Sequence, residues 1–201
     1  MAQLRRCRAA NVPRVALRVQ RLKVLFVSHL ADDAVSLAAD ISTRRRCLDL
    51  AHALRRLGHE ARCVGQRDFE RSFTRLPSFD VYVFHRPTLT EAFSRIFSDL
   101  EPNARRIVDL DGLSFDVRNF VKARRQPPAS QELERIARCG EAVGLFTHAT
   151  VADESALNAA KDVSESVQPV LLPDERDLDG RAAAVALEAR ATRWLDLVRT
   201  L

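Results

Sequence analysis

Short apolar runs alternate with amphipathic stretches along most of this chain, and this alternation restricts the fold more than any other feature. Such runs are typical of strands that are buried on both faces of a sheet. We predict strands at Lys23–Ser28, Glu60–Val64, Phe79–His85, Arg105–Leu110, Ala142–Thr147 and Gln168–Leu172, the second of them near an edge. Apolar residues at helical spacing predict helices near residues 43–57, 88–100, 130–139, 153–161 and 180–201. The chain is therefore predicted to be an α/β, Rossmann-like protein, with a doubly wound parallel sheet and helices on both faces.

Length and composition favour one domain. At 201 residues, with 46% hydrophobic and 29% charged residues, the chain has an ordinary globular balance. We interpret residues 23–201 as that domain and residues 180–201 as its terminal helix, packing back on the sheet. No apolar run approaches the roughly 18–20 residues of a membrane-spanning helix. The four cysteines are widely spaced and form neither a zinc motif nor a disulfide framework, so we expect core thiols and a cytoplasmic location.

The positive charge of the chain lies in its first residues. The net charge is +5, yet residues 1–23 contain seven basic side chains and no acidic one, so the rest is slightly acidic. A basic segment of this kind attaches to nucleic acid or to an anionic membrane surface, or is simply a solvated extension. We interpret residues 1–22 as a flexible leader with at most peripheral membrane contact and no specific nucleic-acid partner.

Polar residues follow four of the predicted strands. They are Ser28 and His29, His85 and Arg86, Asp109 and Asp111, and Thr147 and His148. In open parallel sheets, ligands bind at the carboxyl ends of the strands, so these side chains are predicted to share one cleft. Histidine, arginine and aspartate orient hydroxylated ligands, and a histidine acts as a general base near neutral pH. His29 and His85 are the catalytic candidates, and the others are ligand-binding candidates; the alternative is that strand ends are merely polar.

Cofactor and metal motifs are absent from the sequence. The loop after the first strand has neither GxGxxG nor a phosphate-binding loop pattern, so we expect no nucleotide cofactor. Asp109 and Asp111 have the spacing to hold a divalent ion or a sugar hydroxyl, but Asp111 and Gly112 also form a common turn. We predict no metal site. Arg44, which begins a basic trio at a helix start, is a candidate for an anionic ligand, the alternative being a solvated charge run.

Several segments, taken in order, resemble the N-terminal, acceptor-side domain of GT-B-fold glycosyltransferases. Residues 23–28 (KVLFVS), followed by a helix that ends in LGHE at residues 57–60, resemble the opening of that domain. Residues 79–87 (FDVYVFHRP) and 106–116 (RIVDLDGLSFD) resemble its middle. Residues 139–154 (CGEAVGLFTHATVADE) and 169–180 (PVLLPDERDLDG) resemble its end.

The resemblance implies a function in polysaccharide or glycoconjugate biosynthesis. In the family, a second Rossmann-like domain binds the nucleotide-sugar donor, and residues 23–201 leave no room for it. The resemblance therefore implies an acceptor-side half-domain that binds a sugar or glycoconjugate and is inactive alone or completed by a partner chain. The alternative is a flavodoxin- or receiver-like regulatory or protein-interaction module without catalysis. A receiver requires an aspartate at the end of the third strand, where this chain has His85.

Overall fold

A computed structural model describes residues 21–29, 43–110, 131–164, 166–172 and 180–201. The strands are β1 Lys23–Ser28, β2 Glu60–Gly65, β3 Val81–His85, β4 Arg105–Asp109, β5 His148–Val151 and β6 Gln168–Leu171. The helices are α1 Leu50–Arg56, α2 Gln66–Ser72, α3 Glu91–Asp99, α4 Gln131–Val143, α5 Glu154–Val163 and α6 Gly180–Thr200. A π-helical turn, Arg44–Asp49, leads directly into α1, and a 3₁₀ turn, Phe73–Arg75, follows α2. Residues 1–20 of the predicted leader lie outside the described residues.

The six strands form one parallel sheet in the order β2-β1-β3-β4-β5-β6. The chain runs outward from β1 in both directions, so the topological switch point, where ligands bind in such sheets, lies between β1 and β3. Helices cover both faces, which confirms the predicted doubly wound, Rossmann-like architecture. The polar second strand is an edge strand, as predicted.

Each face of the sheet has its own hydrophobic core. On the first, here called the α6 face, Val24, Phe26, Val83 and Ile107 pack beneath α1 and α6. On the second, here called the α3 face, alternate strand residues pack beneath α2, α3, α4 and α5. Trp194 of α6 is 1% exposed, and its ring centroid lies 5.9 Å from that of Phe26. The terminal helix therefore packs back on the sheet, as predicted.

The predicted core thiols lie in these two layers. Cys47 is buried on the α6 face, and Cys139 is buried on the α3 face. Cys63 is half-buried beside the α6-face core. None of the described helices is both long and apolar enough to cross a membrane.

Helix boundaries follow local chemistry. Gly58 ends the helical segment that contains α1, at a φ of 89°, in the left-handed region where glycine is favoured. The prediction that a helix opens at Thr88 was wrong: Thr90 is the N-cap of α3, and its hydroxyl accepts a hydrogen bond from the Phe93 amide at 2.9 Å. The helix therefore begins two residues later than the sequence pattern indicates.

The predicted strand Ala142–Thr147 was wrong. Ala142 and Val143 belong to the end of α4, and the strand begins only at His148. The apolar run of Ala142, Val143 and Phe146 arises because the helix end and the following turn are buried in the α3-face core. An apolar run of this length does not distinguish a strand from a buried helix end.

Candidate functional site

Four polar residues form a row across neighbouring strands at the carboxyl edge of the sheet. In the register of the sheet, Ser28 of β1 pairs with His85 of β3, His85 with Asp109 of β4, and Asp109 with Thr150 of β5. Residues paired in this way project to the same face, here the α6 face. All four are buried, with exposures of 0%, 0%, 2% and 1%. The structure thus brings together three of the predicted site residues, Ser28, His85 and Asp109, beside the switch point.

The row is tied to the helical layer by Arg46, which lies in the π-helical turn before α1. Arg46 Nε donates a hydrogen bond to Asp109 Oδ2 at 2.8 Å, and the two side chains are 0% and 3% exposed. Arg46 Nη1 donates to the carbonyl oxygen of Leu172, just beyond β6, at 2.6 Å. One buried guanidinium therefore joins the ends of β4 and β6 to the segment that leads into α1. We call this set, with His85 and Arg86, the Arg46 network.

Both ring nitrogens of His85 are engaged within the Arg46 network. Its Nδ1 lies 3.4 Å from Asp109 Oδ1, and its Nε2 accepts a hydrogen bond from Arg86 Nε at 3.0 Å. Because Nε2 accepts, the proton of a neutral ring lies on Nδ1 and faces the carboxylate. Burial lowers the pKa of His85, although the hydrogen bond to Asp109 acts in the opposite direction. His85 is therefore neutral at pH 7 and orients its neighbours, and neither nitrogen is available to a ligand in this arrangement.

Asp109 is the ionised member of the Arg46 network. Burial acts to raise the pKa of Asp109, but the positive charge of Arg46 and the hydrogen bond with His85 outweigh it. The pKa of Asp109 is consequently held well below its usual range. A carboxylate this strongly paired fixes the geometry of the edge and cannot accept a proton during a reaction near neutral pH.

Arg86 has a strained backbone at the same edge. Its φ is 50°, and it is the non-glycine residue of the described chain with positive φ. This conformation costs an L-residue with a Cβ about 1–2 kcal/mol. The Arg86 amide donates to the carbonyl oxygen of Asp109 at 2.9 Å, which holds the conformation. Strained residues concentrate at ligand sites, so the turn after β3 marks this edge as a candidate site.

His29 is the other catalytic candidate, and it lies at the carboxyl end of β1. It follows β1, is half-buried, and its amide donates to the carbonyl oxygen of His85 at 3.1 Å. The centroids of the two imidazole rings lie 5.9 Å apart. Both ring nitrogens of His29 are shielded from solvent, so this arrangement does not expose them to a ligand. Asp111, the other predicted carboxylate, lies outside the described residues.

Two predicted ligand-binding residues lie elsewhere. Thr147 and His148 were predicted to follow the fifth strand, but His148 begins that strand. Because the sheet is parallel, both residues lie at the amino edge, opposite His85 and Asp109. The prediction of a single cleft containing all the polar pairs was therefore wrong for this pair. The physical cause is that the end of α4 is apolar and buried, so its sequence resembles a strand, and the fifth strand was predicted six residues too early.

The basic trio is divided differently from the prediction. Arg44 is half exposed, and its Nε lies 3.9 Å from Asp49 Oδ2 in a surface pair. Arg46, the third member of the basic trio, is buried and reaches Asp109, so the alternative of a solvated charge run is wrong for this residue. Arg46 lies four residues before the buried Leu50, on the inward side of the helical segment. This spacing is the signal in the sequence that could have identified Arg46 as an inward-facing residue.

Thr150 is the other functional candidate that the sequence did not reveal. It follows Asp109 in the row, and its hydroxyl has no hydrogen-bond partner within the described part of the chain. A buried hydroxyl without a partner is costly, so such groups call for a specific explanation. The residue was missed because β5 begins six residues later than predicted.

An open cavity lies beside the turn after β3. Its volume is about 660 Å³, within the range of small-ligand sites. The lining residues are polar or charged except one, and they are Leu89, Thr90, Glu91, Ser94, Arg95 and Arg138. Hydroxyl, carboxylate and guanidinium groups in one cavity suit a ligand rich in hydroxyl groups.

Comparisons with known proteins leave the function open. Neither the family models nor the curated proteins match this chain. A solved structure of an oxidoreductase from Corynebacterium diphtheriae is similar to it with a TM-score of 0.43 and 10% sequence identity, over 90% of this chain and 99% of that one. Similarity at that level carries no argument about function. Within the described ranges, no group of three or more histidine, cysteine, aspartate and glutamate side chains is placed to hold a metal ion.

Proposed function

We propose that this chain is a glycosyltransferase-like acceptor-side domain, which binds a sugar or glycoconjugate at the carboxyl edge of its sheet. The observation that carries the proposal is the polar row of Ser28, His85, Asp109 and Thr150 beside the switch point, fixed by the Arg46 network. A polar edge with fixed geometry lowers the entropic cost of ordering the site when a ligand binds. The resemblance of residues 23–180 to GT-B-fold glycosyltransferases gives the ligand class.

The proposed division of labour follows from burial. His85 and Asp109 are enclosed and position the edge, and the polar cavity after β3 is open to a ligand. We propose His29 as the base that accepts a proton from an acceptor hydroxyl, which requires its shielded ring nitrogens to become exposed when the ligand binds. Arg86, held at positive φ, orients the turn that leads into the cavity.

Sugar transfer requires a donor site as well as an acceptor site. The described residues form one sheet. We propose that a partner chain supplies the donor site and that the isolated chain binds an acceptor without transferring a sugar. Transfer appears when a donor-binding partner is added. This proposal places the chain in polysaccharide or glycoconjugate biosynthesis.

The test combines a panel of nucleotide sugars with a panel of oligosaccharide acceptors, with and without proteins that co-purify with the chain. We expect no transfer by the isolated chain and transfer once the partner is present. We expect His29→Ala to abolish the transfer, whereas His52→Ala, at an exposed position of α1, leaves it unchanged. Robust transfer by the isolated chain would contradict the half-domain proposal. Failure of every acceptor to bind would contradict the proposal that the ligand is a sugar or glycoconjugate.

The strand order favours one second candidate. The first five strands follow the order 2-1-3-4-5 that flavodoxin-like and receiver domains share, which suits a regulatory or protein-interaction module. His85 stands at the end of β3, where a receiver has its phosphoacceptor aspartate, so a phosphorylated module would need another acceptor. Treatment with a small phosphodonor followed by intact mass measurement tests this candidate. A mass increase of one phosphoryl group would support this candidate, and an unchanged mass would exclude a phosphorylated receiver domain.

A further inference from the structure

A second cavity lies at the amino edge of the sheet, opposite the candidate site. Its volume is about 470 Å³, and it is formed where β4 and β5 begin and where α6 ends. Thr147 and His148, which the structure separates from the carboxyl edge, line it. Nothing in the proposed acceptor function uses this cavity.

The charged lining of the amino-edge cavity is cationic. Arg105, Arg106 and His148 contribute to it, and none of the described lining residues is acidic. Arg105 is half-buried and forms no ion pair or side-chain hydrogen bond with the described residues. An arginine that is partly withdrawn from water and not neutralised attracts an anionic ligand more strongly than an exposed one. Arginine also matches the oxygen atoms of phosphate with its planar fork of donors.

Arg106 is held in place before any ligand arrives. Its Nη2 donates to the carbonyl oxygens of Leu100 at 2.9 Å and Glu101 at 3.3 Å, and its guanidinium carbon lies 5.1 Å from the centroid of the Phe97 ring. The Glu101 carboxylate behind it accepts a hydrogen bond from the Tyr82 hydroxyl at 3.2 Å. Arg106 therefore forms a fixed wall, while Arg105 is the cation that a ligand can engage.

His148 provides a second polar contact beside Arg105. Its Nδ1 lies 2.8 Å from the Thr147 hydroxyl, which fixes the ring and leaves Nε2 as the nitrogen for a ligand. The other lining residues include polar Asn103 and the apolar residues Leu145, Phe146 and Leu201. Leu145 is 41% exposed, so its side chain is accessible from the cavity, whereas Phe146 is buried. The cavity thus pairs a cationic side with an apolar side.

We propose that the amino-edge cavity binds a small phosphate monoester that carries an apolar or aromatic group. The phosphate oxygens accept hydrogen bonds from Arg105 and from His148, and the organic group covers the apolar wall. A dianionic phosphate complements this cationic lining better than a carboxylate with a single charge does. The site is separate from the acceptor edge, so its occupation and sugar binding are measured independently.

The test is a titration of the ¹⁵N-labelled full chain with three probes, followed by amide chemical shifts. The probes are inorganic phosphate, phenyl phosphate and benzoate. We expect phenyl phosphate to bind saturably and to shift the amides of residues 105–106 and 146–148, with inorganic phosphate weaker at the same amides. Benzoate is expected to bind about tenfold more weakly than phenyl phosphate because its charge is smaller.

Two variants and a control complete the test. We expect Arg105→Gln to weaken phenyl phosphate binding by about tenfold or more, since it removes the unneutralised guanidinium. His148→Gln provides a second measurement of the same site and is expected to weaken binding as well. Arg75→Gln, at an exposed arginine that does not line the cavity, is expected to leave affinity unchanged. The proposal would be overturned if benzoate bound as tightly as phenyl phosphate or if no shift were saturable. It would also be overturned if the shifts lay outside the cavity, or if the control variant lost as much affinity as Arg105→Gln.

Discussion

At the scale of single residues, Arg46 is the side chain on which the carboxyl edge depends most. It is fully buried, pairs with Asp109 and also satisfies a carbonyl oxygen beyond β6. Its removal leaves the Asp109 charge buried and uncompensated, and breaking a buried ion pair from one side costs about 3–5 kcal/mol. We therefore predict that Arg46→Gln lowers the free energy of unfolding in urea by that amount.

The neighbouring Arg44 offers a matched control. Its contact with Asp49 is 3.9 Å long, with side chains that are 51% and 36% exposed. Exposed pairs of this kind contribute at most about 1 kcal/mol, so Arg44→Gln is expected to change stability very little. Similar losses in the two variants would contradict the buried position of Arg46.

Asp109 makes stability dependent on pH in a defined direction. Its pKa is lowered in the folded chain, so its contribution is fully present above the unfolded value of about 3.9 and is lost as pH falls below it. The stability difference between the parent chain and Asp109→Asn should therefore shrink below about pH 4, by roughly 1.4 kcal/mol per pH unit. Urea unfolding at several pH values measures it. A difference that stays constant between pH 5 and pH 3 would show that Asp109 is not ionised and paired as described.

At the scale of elements, Gly58 tests how α1 ends. Its φ of 89° disfavours any residue with a Cβ, yet an added Cβ meets nothing within 4 Å. Gly58→Ala is therefore expected to cost about 1–2 kcal/mol from backbone conformation alone. Gly144→Ala is the control, because that glycine lacks positive φ and its nearest neighbour, the Glu141 carbonyl oxygen, lies at an ordinary 3.5 Å. Unfolding midpoints compare the two, and equal effects would contradict the assigned helix end.

The elements also explain how far the sequence could be interpreted. Strands β1, β3 and β4 were predicted within one or two residues because continuous apolar runs mark strands that are buried on both faces. The edge strand β6 was also predicted within one residue, although none of its residues is buried. The β5 prediction was wrong because the end of α4 has the same apolar signature, and that error displaced Thr147 and His148 to the wrong edge. Arg46 was missed because an arginine in a basic trio is usually solvated, and its partner Asp109 is 63 residues away.

At the scale of the whole molecule, Trp194 reports on whether α6 belongs to the same cooperative unit as the sheet. It is the single tryptophan of the chain and packs against Phe26 of β1. We predict that tryptophan fluorescence and far-ultraviolet circular dichroism give the same unfolding midpoint, as expected for a two-state domain. A fluorescence transition at lower denaturant would indicate that α6 separates before the sheet unfolds.

The two edges of the sheet have different chemistry, and that difference is the basis of the functional account. The carboxyl edge has a polar row that the buried Arg46 network fixes, and a polar cavity lies after β3. We propose that this edge binds a sugar acceptor. The amino edge has a cationic cavity with an apolar wall, which we propose for a phosphate monoester. The two proposals rest on separate residues and fail separately.

Amide chemical shifts give a direct test of whether the carboxyl edge of β1, β3 and β4 binds a hydroxylated ligand, as we propose. The measurement titrates the ¹⁵N-labelled chain with a panel of neutral oligosaccharides. We predict saturable shifts at Ser28, His29, Arg86 and residues 88–91, with residues 105–106 and 146–148 unaffected. Absence of saturable shifts across the panel, or shifts confined to the amino edge, would contradict it.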